Sequence, residues 1–400
     1  MMVNQESRAV LDSLLTKTHV QHALVQLDGR RNELPSALTT LFLLGGAPDG
    51  LQQTYDSLKG DLISWEPSPR GISDAEAKSQ FLGDPRFQRA FMTYFSMENG
   101  RFAGNTKSLA ISHLFTGASP LVYGLFSGIG RPLTLLADGI ELRAAILVMQ
   151  SLTLSAVDWM EPVGELLTHP QLAAPSGEYL SPEDIIGRVA YDGRFSGVMK
   201  AGSGFHGVSH IFSSPNARTA IVEYLRYLDT RDLSLLLQQI SALSVLLLTA
   251  THKANQPAFD LYLGRLPTCV NSVRVIIENW VEDEGHKLLL VRGLWLLVIL
   301  TYVTQLRPII DGKLLVSREL AEETRGWEAI MDRIHSQCIM EGRDGGHDLL
   351  RAVRSLRELS GEYGAAHGRL YIHAAWKLLK NWQGWAGLGN DREATLNIRL

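Results

Sequence analysis

Apolar residues recur through most of the chain at intervals of three and four residues, the spacing of an amphipathic helix. Serine–proline pairs support this pattern, because a capping serine before a proline is typical of a helix start, as at Ser214-Pro215. A strand would show alternating apolar and polar residues between hairpin turns, and this alternation is not visible in the sequence. The pattern therefore predicts an all-α protein. The clearest helix face carries Leu349, Leu350, Val353, Leu356 and Leu359.

The predicted helices are distributed along the whole chain without a fixed-period repeat, so we expect one large multi-helix domain, residues 1–400. Its centre should hold the most apolar helices, 231–252, 259–280 and 284–305. Linkers are predicted at 60–73 and 161–181. The full set of predicted helices is 7–18, 35–45, 50–58, 73–81, 85–97, 106–127, 132–158, 181–191, 215–229, 231–252, 259–280, 284–305, 317–340, 346–360 and 369–382.

Composition narrows the class of protein. Hydrophobic residues make up 45% of the chain and charged residues 20%, which is typical of a globular protein. The net charge is −4 with no concentrated basic stripe, which argues against nucleic-acid binding. Two cysteines, Cys269 and Cys338, cannot form a disulfide framework or a cysteine-rich zinc site.

The longest apolar runs, at 293–303 and 232–252, fall short of the roughly 18–20 uninterrupted apolar residues that a membrane span needs. They therefore predict buried helices and no membrane span. The first eleven residues are polar and lack the apolar core of a signal peptide. From these features we expect a soluble, cytoplasmic protein.

No motif of common enzyme classes is convincing on its own. The segment from Gly202 to Gly207 has the letters of a dinucleotide-binding fingerprint, but it lacks the preceding strand that the fingerprint needs, so a glycine-rich loop is the default interpretation. His206 and His210 have the spacing of two metal ligands on one helix face, although the glycines disfavour a helix there. Nucleophile elbows and phosphate-binding loops are absent from the sequence.

Five segments, taken in their order and spacing, resemble the questin oxidase-like family over residues 20–382. Each segment is degenerate alone, and the resemblance depends on their succession. They are the stretch from His22 through Asn32-Glu33-Leu-Pro35-Ser36 to Gly45-Gly46-Ala47, Phe81-Leu82-Gly83 with Phe91-Met-Thr-Tyr94-Phe95, Gly128-Ile-Gly-Arg131-Pro132 to Glu141, Phe259-Asp260 to Thr268, and Gln305-Leu-Arg307-Pro308 with the last helix.

The resemblance implies an all-helical enzyme of fungal polyketide and related natural-product pathways. Members of the family carry out Baeyer–Villiger-type or dioxygenase cleavage of fused aromatic rings. At least some are thought to bind a non-haem iron through histidines of these segments and a modified lysine of the last helix. In this sequence Lys377 keeps the place of that lysine, and His373 lies one turn before it.

The same resemblance exposes five departures at the family's histidine positions, which here hold Glu33, Ser36, Arg131, Leu135 and Arg265. Leucine donates nothing to a metal, and arginine brings a fixed positive charge. We therefore expect an internal apolar cavity that has lost its iron, no cofactor, and a small apolar natural-product intermediate as the partner.

The predicted activity is a cofactor-independent cyclase or pericyclase, of Diels–Alder type, on a polyene or polycyclic intermediate. Such a reaction needs orientation and hydrogen-bond donors rather than an oxygen-activating centre. The predicted catalytic residues are Arg131, Lys377, Glu33 and His373. The predicted substrate-binding residues are Ser36, Arg265, Trp376, Leu135 and Asp138.

Two other functions stay open. One is an oxygenase that keeps the family reaction, using NADPH or a non-haem iron at a relocated site. The other is a non-catalytic ligand-binding accessory protein. Structural roles also compete: Arg265 could pair with Asp260 or Glu278, Asp138 could form a surface pair with Arg143, and Lys377 could extend to solvent. The histidines available for a relocated site are His19, His22, His206, His210, His252 and His373.

Overall fold

The computed structural model describes residues 5–73, 78–174, 177–199, 207–253, 256–315, 325–336 and 345–387. By the density of its contacts the chain forms two compact units. Unit 1 comprises Met1–Val163 and Val275–His286, and unit 2 comprises Gly164–Arg274 and Lys287–Leu400. The single domain expected over 1–400 stays a prediction. The all-α class is confirmed, since the described residues are mainly helical and form only two very short strands.

The helices are numbered in chain order. They are α1 Gln5–Gln21, α2 Leu34–Leu43, α3 Pro48–Leu58, α4 Gln88–Arg101, α5 Thr106–Phe115, α6 Val122–Leu125, α7 Arg131–Leu142, α8 Ala145–Val157, α9 Glu161–Leu167, α10 Pro182–Tyr191, α11 Val208–Ser213, α12 Pro215–Arg226, α13 Leu233–Thr249, α14 Leu261–Gly264, α15 Leu266–Trp280, α16 Glu284–Thr304, α17 Trp327–Ser336, α18 Gly346–His367 and α19 Leu370–Asn381. Short 3-10 turns lie at Lys59–Asp61, Pro85–Phe87, Gly128–Gly130, Pro170–Ala173, Gly193–Phe195 and Gly312–Leu315.

Several predicted boundaries are wrong. The helix predicted over 132–158 is two helices, because Arg143 adopts a left-handed conformation (φ 51°) and ends α7. The helix predicted over 106–127 is likewise interrupted between α5 and α6, where Gly117 has φ 89°. The linker predicted over 161–181 contains α9. Parts of the helices predicted at 73–81 and 317–340 lie outside the described residues.

Helices α6, α7 and α8 pack closely in unit 1 because glycines replace side chains at the contacts. A β-carbon built at Gly124 would lie 1.8 Å from the carbonyl oxygen of Ser155, and one at Gly139 would lie 2.9 Å from the side chain of Val148. The close approach leaves the apolar faces of these helices fully buried, as Leu136 and Leu152 illustrate. This packing fixes the start of α7, which carries Arg131.

Unit 2 contains the strands β1 (Phe259–Asp260) and β2 (Trp385–Ala386), which pair in parallel, Phe259 opposite Trp385. Two glycines make room for the Trp385 indole: a β-carbon at Gly264 or Gly345 would lie 2.6 Å from it. The indole Nε1 donates to the carbonyl of Gly345 at 2.9 Å. The pairing therefore joins the residues before α14 to those after α19.

Helix α16 is long and apolar enough to cross a membrane, but 78% of its most apolar window is buried within the protein. Burial of this extent is typical of a core helix, as predicted, and does not indicate a membrane span. Trp295 of α16 is fully buried, and its Nε1 donates to the Tyr224 carbonyl at 3.4 Å.

Candidate functional site

In unit 1, Glu33 and Arg131 form an ion pair with each other. Glu33 precedes α2 as its N-cap residue, without a side-chain capping bond, and Arg131 is the first residue of α7. Their side chains are 21% and 18% exposed, so the pair is partly screened from water. Two positions that hold histidines in the family pattern are thus in direct contact in this chain, where they carry opposite charges.

The backbone before Arg131 has an unusual conformation. Gly128, Ile129 and Gly130 all have positive φ, at 53°, 62° and 67°. A side chain at 128 is excluded in addition because its β-carbon would lie 2.7 Å from an oxygen of Asp158. For Ile129, which is β-branched, this conformation is strained, and such strain persists only where the surrounding structure imposes it. The direction in which Arg131 leaves the backbone is therefore set by this turn.

A second ion pair lies beside this turn. Arg31 pairs with Asp158, whose side chain is only 2% exposed, and the Arg31 Nε lies 3.2 Å from Asp158 Oδ2. Arg31 and Glu33 lie two positions apart in the same short segment. This segment therefore contributes one positive and one negative charge, and each pairs with an opposite charge within unit 1. The sequence does not predict the Arg31–Asp158 pair, because 127 residues separate its partners.

The other predicted residues of unit 1 lie along α2 and α7. Ser36 is half-buried in the first turn of α2, and Leu135 is buried one turn into α7. Asp138 is 1% exposed. The alternative of an ordinary surface pair between Asp138 and Arg143 is therefore wrong, because Asp138 does not lie on the surface.

In unit 2, Arg265 pairs with Asp348 at 2.7 Å, and both side chains are buried, with 8% and 9% exposure. The partner suggested by proximity in sequence was Asp260 or Glu278. Asp260 caps α14 by accepting hydrogen bonds from the backbone of Tyr262 and Leu263. Asp348 lies 83 residues away in α18, so the chain offers no local signal for this pairing.

Lys377 of α19 is 5% exposed. Its Nζ donates to the carbonyl of Thr249 at 2.6 Å and to that of Leu314 at 2.9 Å. The alternative in which Lys377 extends to solvent is therefore wrong. Burial lowers the pKa of Lys377 to about 8, although the charge of Asp311 acts in the opposite direction. An amine with this pKa exchanges protons near neutral pH, which suits acid–base work.

His252 lies close enough to Lys377 for their charges to interact. Burial lowers the pKa of His252, and the positive charge of Lys377 lowers it further. Its Nδ1 lies 2.7 Å from the carbonyl of Lys253, and this contact orients the ring. Unit 2 therefore brings together an amine and an imidazole, both buried, at the carboxyl end of α13.

The remaining predicted residues of α19 are held by neighbouring cations. Trp376 is fully buried, its Nε1 donates to the Arg325 carbonyl at 3.3 Å, and the Arg325 guanidinium lies 4.5 Å from its ring centre. His373 is half-buried and accepts a hydrogen bond from Arg369 at 3.3 Å. Burial and the charge of Arg369 lower the pKa of His373.

The residues at the family's ligand positions do not fit a non-haem iron. The carboxylate of Glu33 is bound to Arg131, Leu135 has no donor atom, and Arg265 is a cation bound to Asp348. Lys377 uses its N–H groups on two carbonyls and does not present its nitrogen as a ligand. Iron in such proteins takes imidazole and carboxylate ligands, and among these positions only Glu33 carries such a group, which is engaged with Arg131.

The histidines proposed for a relocated iron site do not assemble within either unit. His206 lies outside the described residues. Of the other five, no three place their ring nitrogens close enough together to share one metal ion within a unit, among the residues that the structure describes. The glycine-rich segment 202–207 also lies outside the described residues apart from its last position, so its predicted loop stays a prediction.

The family model described as questin oxidase-like matches residues 31–356. The chain therefore belongs to the questin oxidase-like family, as the five segments predicted. No curated protein matches the sequence. Membership of this family indicates an enzyme of secondary-metabolite type.

Proposed function

We propose that this chain is a cofactor-independent cyclase that folds an apolar natural-product intermediate and closes a ring in it, by a Diels–Alder-type or related pericyclic reaction. One observation carries the proposal: Glu33 and Arg131, which stand where the family pattern has histidines, are bound to each other as an ion pair. A reaction that needs only orientation and hydrogen bonding is compatible with such a pair. The expected cytoplasmic location and fungal pathway stay predictions.

In this proposal, holding the substrate in a reactive orientation supplies most of the rate acceleration. Holding the two reacting ends of a flexible molecule in place is worth about 7–11 kcal/mol at the favourable limit. A positioned hydrogen-bond donor at a carbonyl that activates the alkene adds about 2.7–4 kcal/mol if it resembles one oxyanion-hole donor. No covalent bond to the protein forms, and no electron leaves the substrate.

Lys377 is the donor best suited to this role. As an ammonium group it has three N–H bonds, of which two are used by the carbonyls of Thr249 and Leu314. The third is available to a substrate carbonyl, and the first two hold the nitrogen in a fixed position. The positive charge of Lys377 also lowers the pKa of His252.

The family name supports a second candidate, the ring-cleaving or Baeyer–Villiger oxygenase. One experiment separates the two. The protein is freed of metals with a chelator and incubated without oxygen with a panel of linear polyene ketones and fused-ring quinones, and products are analysed by mass spectrometry. An isomer of unchanged mass supports the cyclase. Products that gain one or two oxygen atoms, formed only in a parallel incubation with labelled O₂ and iron or NADPH, overturn it.

A matched pair of variants tests the role of Lys377. Lys377→Met should lower ring closure by about 10²–10³-fold, the loss expected for one oxyanion-type donor. Lys107→Met removes a lysine that pairs with Glu282 on the surface, and it should leave the rate unchanged. A panel compound that binds, by quenching of tryptophan fluorescence, but is never converted would favour the accessory-protein hypothesis and contradict the cyclase.

A further inference from the structure

The segment that follows α16 in unit 2, residues 306–314, is called the strap below. It begins with Leu306 and Arg307, which both have positive φ, at 65° and 53°. Neither residue is glycine, so this backbone is strained, and strain of this kind persists only where the surrounding structure imposes it. The same place belongs to one of the segments that resemble the family pattern, Gln305-Leu-Arg307-Pro308. The start of the strap therefore depends on the contacts that hold it.

The side chain of Arg307 anchors the strap to the carboxyl end of α10. It is buried, and its Nη1 donates to the carbonyls of Val189 at 3.1 Å and Asp192 at 2.8 Å. Carbonyls at the end of a helix lack partners within the helix, and a cation beside them also interacts favourably with the helix dipole. The guanidinium lies 5.8 Å from the ring centre of Phe195. Arg307 thus ties the strap to α10 and to the turn that follows it.

Tyr302 of α16 holds the strap from a second side. Its hydroxyl donates to the carbonyl of Pro308 at 2.9 Å, and its own carbonyl accepts from the backbone N–H of Arg307 at 2.9 Å. Tyr302 is buried, so water does not compete for these bonds, and bonds of this kind are stronger in such an environment than on the surface. The strained start of the strap is therefore fixed by both α10 and α16.

The far end of the strap lies at Lys377, the donor of the proposed reaction. The backbone N–H of Asp311 donates to the carbonyl of Ala250 at 2.8 Å, which places the strap against the carboxyl end of α13. At the end of the strap the carbonyl of Leu314 accepts from Lys377 Nζ at 2.9 Å. The carbonyl of Thr249 in α13 accepts from the same nitrogen at 2.6 Å. One of the two bonds that fix the amine therefore comes from the strap.

We propose that Arg307 is a positioning residue for the proposed cyclase: it fixes the strap and, through the strap, the Leu314 carbonyl that orients the amine of Lys377. Arg307 acts through the strap and not on the substrate. The inference rests on the proposed function for the reaction, but not for the position of the amine. A shift of about 1 Å at the far end of the strap would misalign the donor, and a misplacement of that size can lower a rate by about 10²-fold.

The position of the amine is tested without any substrate. Full-length variants are methylated at pH 7 with formaldehyde and sodium cyanoborohydride, and peptide mapping gives the rate at each lysine. A buried amine reacts only through local opening, and each hydrogen bond that is lost raises the open population by about 2- to 10-fold. Arg307→Met removes two bonds and should therefore raise the methylation rate of Lys377 at least about fourfold. The surface lysine Lys107 should react at the wild-type rate in every variant.

Three further variants separate positioning from a general loss of structure. Both side-chain bonds of Arg307 come from one nitrogen, which a lysine ammonium can replace, so Arg307→Lys should leave the rate at Lys377 within about twofold of the wild type. Tyr302→Phe removes only the bond to Pro308 and should raise that rate at least about twofold. Arg292→Met is the matched control, because Arg292 donates to the Leu172 carbonyl, outside the strap, and the rate should not change.

An unchanged methylation rate at Lys377 in both Arg307→Met and Tyr302→Phe overturns the proposal, and so does an equal rise in Arg292→Met. Tyr302→Phe decides alone if Arg307→Met fails to fold. With a compound that the wild type cyclises, Arg307→Met should lower kcat by about 10- to 100-fold at an unchanged KM, and an unchanged kcat overturns the catalytic part. If the wild type cyclises no compound of the panel, the proposed function fails, and the methylation rates still decide whether Arg307 positions the amine.

Discussion

Replacing Arg265 with methionine removes one partner of a buried ion pair and leaves the buried carboxylate of Asp348 without this cation, with His347 Nε2 still 3.5 Å away. The two side chains are 8% and 9% exposed and lie 2.7 Å apart, so water screens the pair little. Breaking a buried pair by removing one partner typically costs about 3–5 kcal/mol, mainly because the remaining charge is left uncompensated. We expect Arg265→Met and Asp348→Leu each to lower the free energy of unfolding by about this amount.

The double variant Arg265→Met/Asp348→Leu separates this cause from a simple loss of contacts. With both charges gone, no uncompensated charge is left, and apolar replacements of a buried pair are often neutral or stabilising. We therefore expect the double variant to be more stable than either single variant. A surface control is Arg218→Met, whose pair with Glu165 is largely exposed and whose loss should cost less than about 1 kcal/mol.

The assay is urea unfolding at pH 7, followed by tryptophan fluorescence and circular dichroism. Additive losses in the double variant, or single-variant losses no larger than that of Arg218→Met, would refute the reasoning. The double variant also tests the predicted substrate contact of Arg265. If it folds with wild-type stability but no longer binds ligand, Arg265 contributes to binding in addition to stability.

Three further predictions concern stability. Burial lowers the pKa of Lys377 to about 8 from its ordinary 10.5, so the unfolded chain binds more protons than the folded one between these pH values. The stability of the wild type relative to Lys377→Met should therefore rise by roughly 3 kcal/mol as pH increases from 8 to 10.5. Burial also lowers the pKa of His113, to about 4, which gives the corresponding effect in acid: the wild type should lose stability relative to His113→Phe as pH falls from 6.5 to 4. Both follow from urea midpoints across pH, and flat differences would contradict them. Gly124→Ala should lower the free energy of unfolding by about 3 kcal/mol or more, because its methyl group meets the Ser155 carbonyl. Gly361→Ala lies within α18 with nothing within 4 Å and should raise the free energy of unfolding by about 0.5–1 kcal/mol. Thermal melts compare the two variants.

The elements that the sequence predicts well are those with local signals. Ser214-Pro215 marks the start of α12, and Ser214 accepts the capping hydrogen bond from Ala217 as expected. The break between α7 and α8 has no such signal, because Arg143 is neither glycine nor proline. Its left-handed conformation follows from the way the two helices pack, which only tertiary structure reveals.

The candidate site follows the same rule. The family resemblance identified Glu33, Arg131, Arg265 and Lys377 as the positions to examine, but it did not give their partners. Ion pairing between α2 and α7 depends on the turn that precedes Arg131, and the partner of Arg265 comes from a helix far along the chain.

The pairing of β1 with β2 affects the order in which unit 2 matures during synthesis. Phe259 and Trp385 are 126 residues apart, and Trp385 fills the space left by Gly264 and Gly345. Closing so long a loop is slow compared with forming neighbouring helices. The segment after α19 is made late, so the space beside Gly264 and Gly345 stays unfilled until Trp385 has left the ribosome.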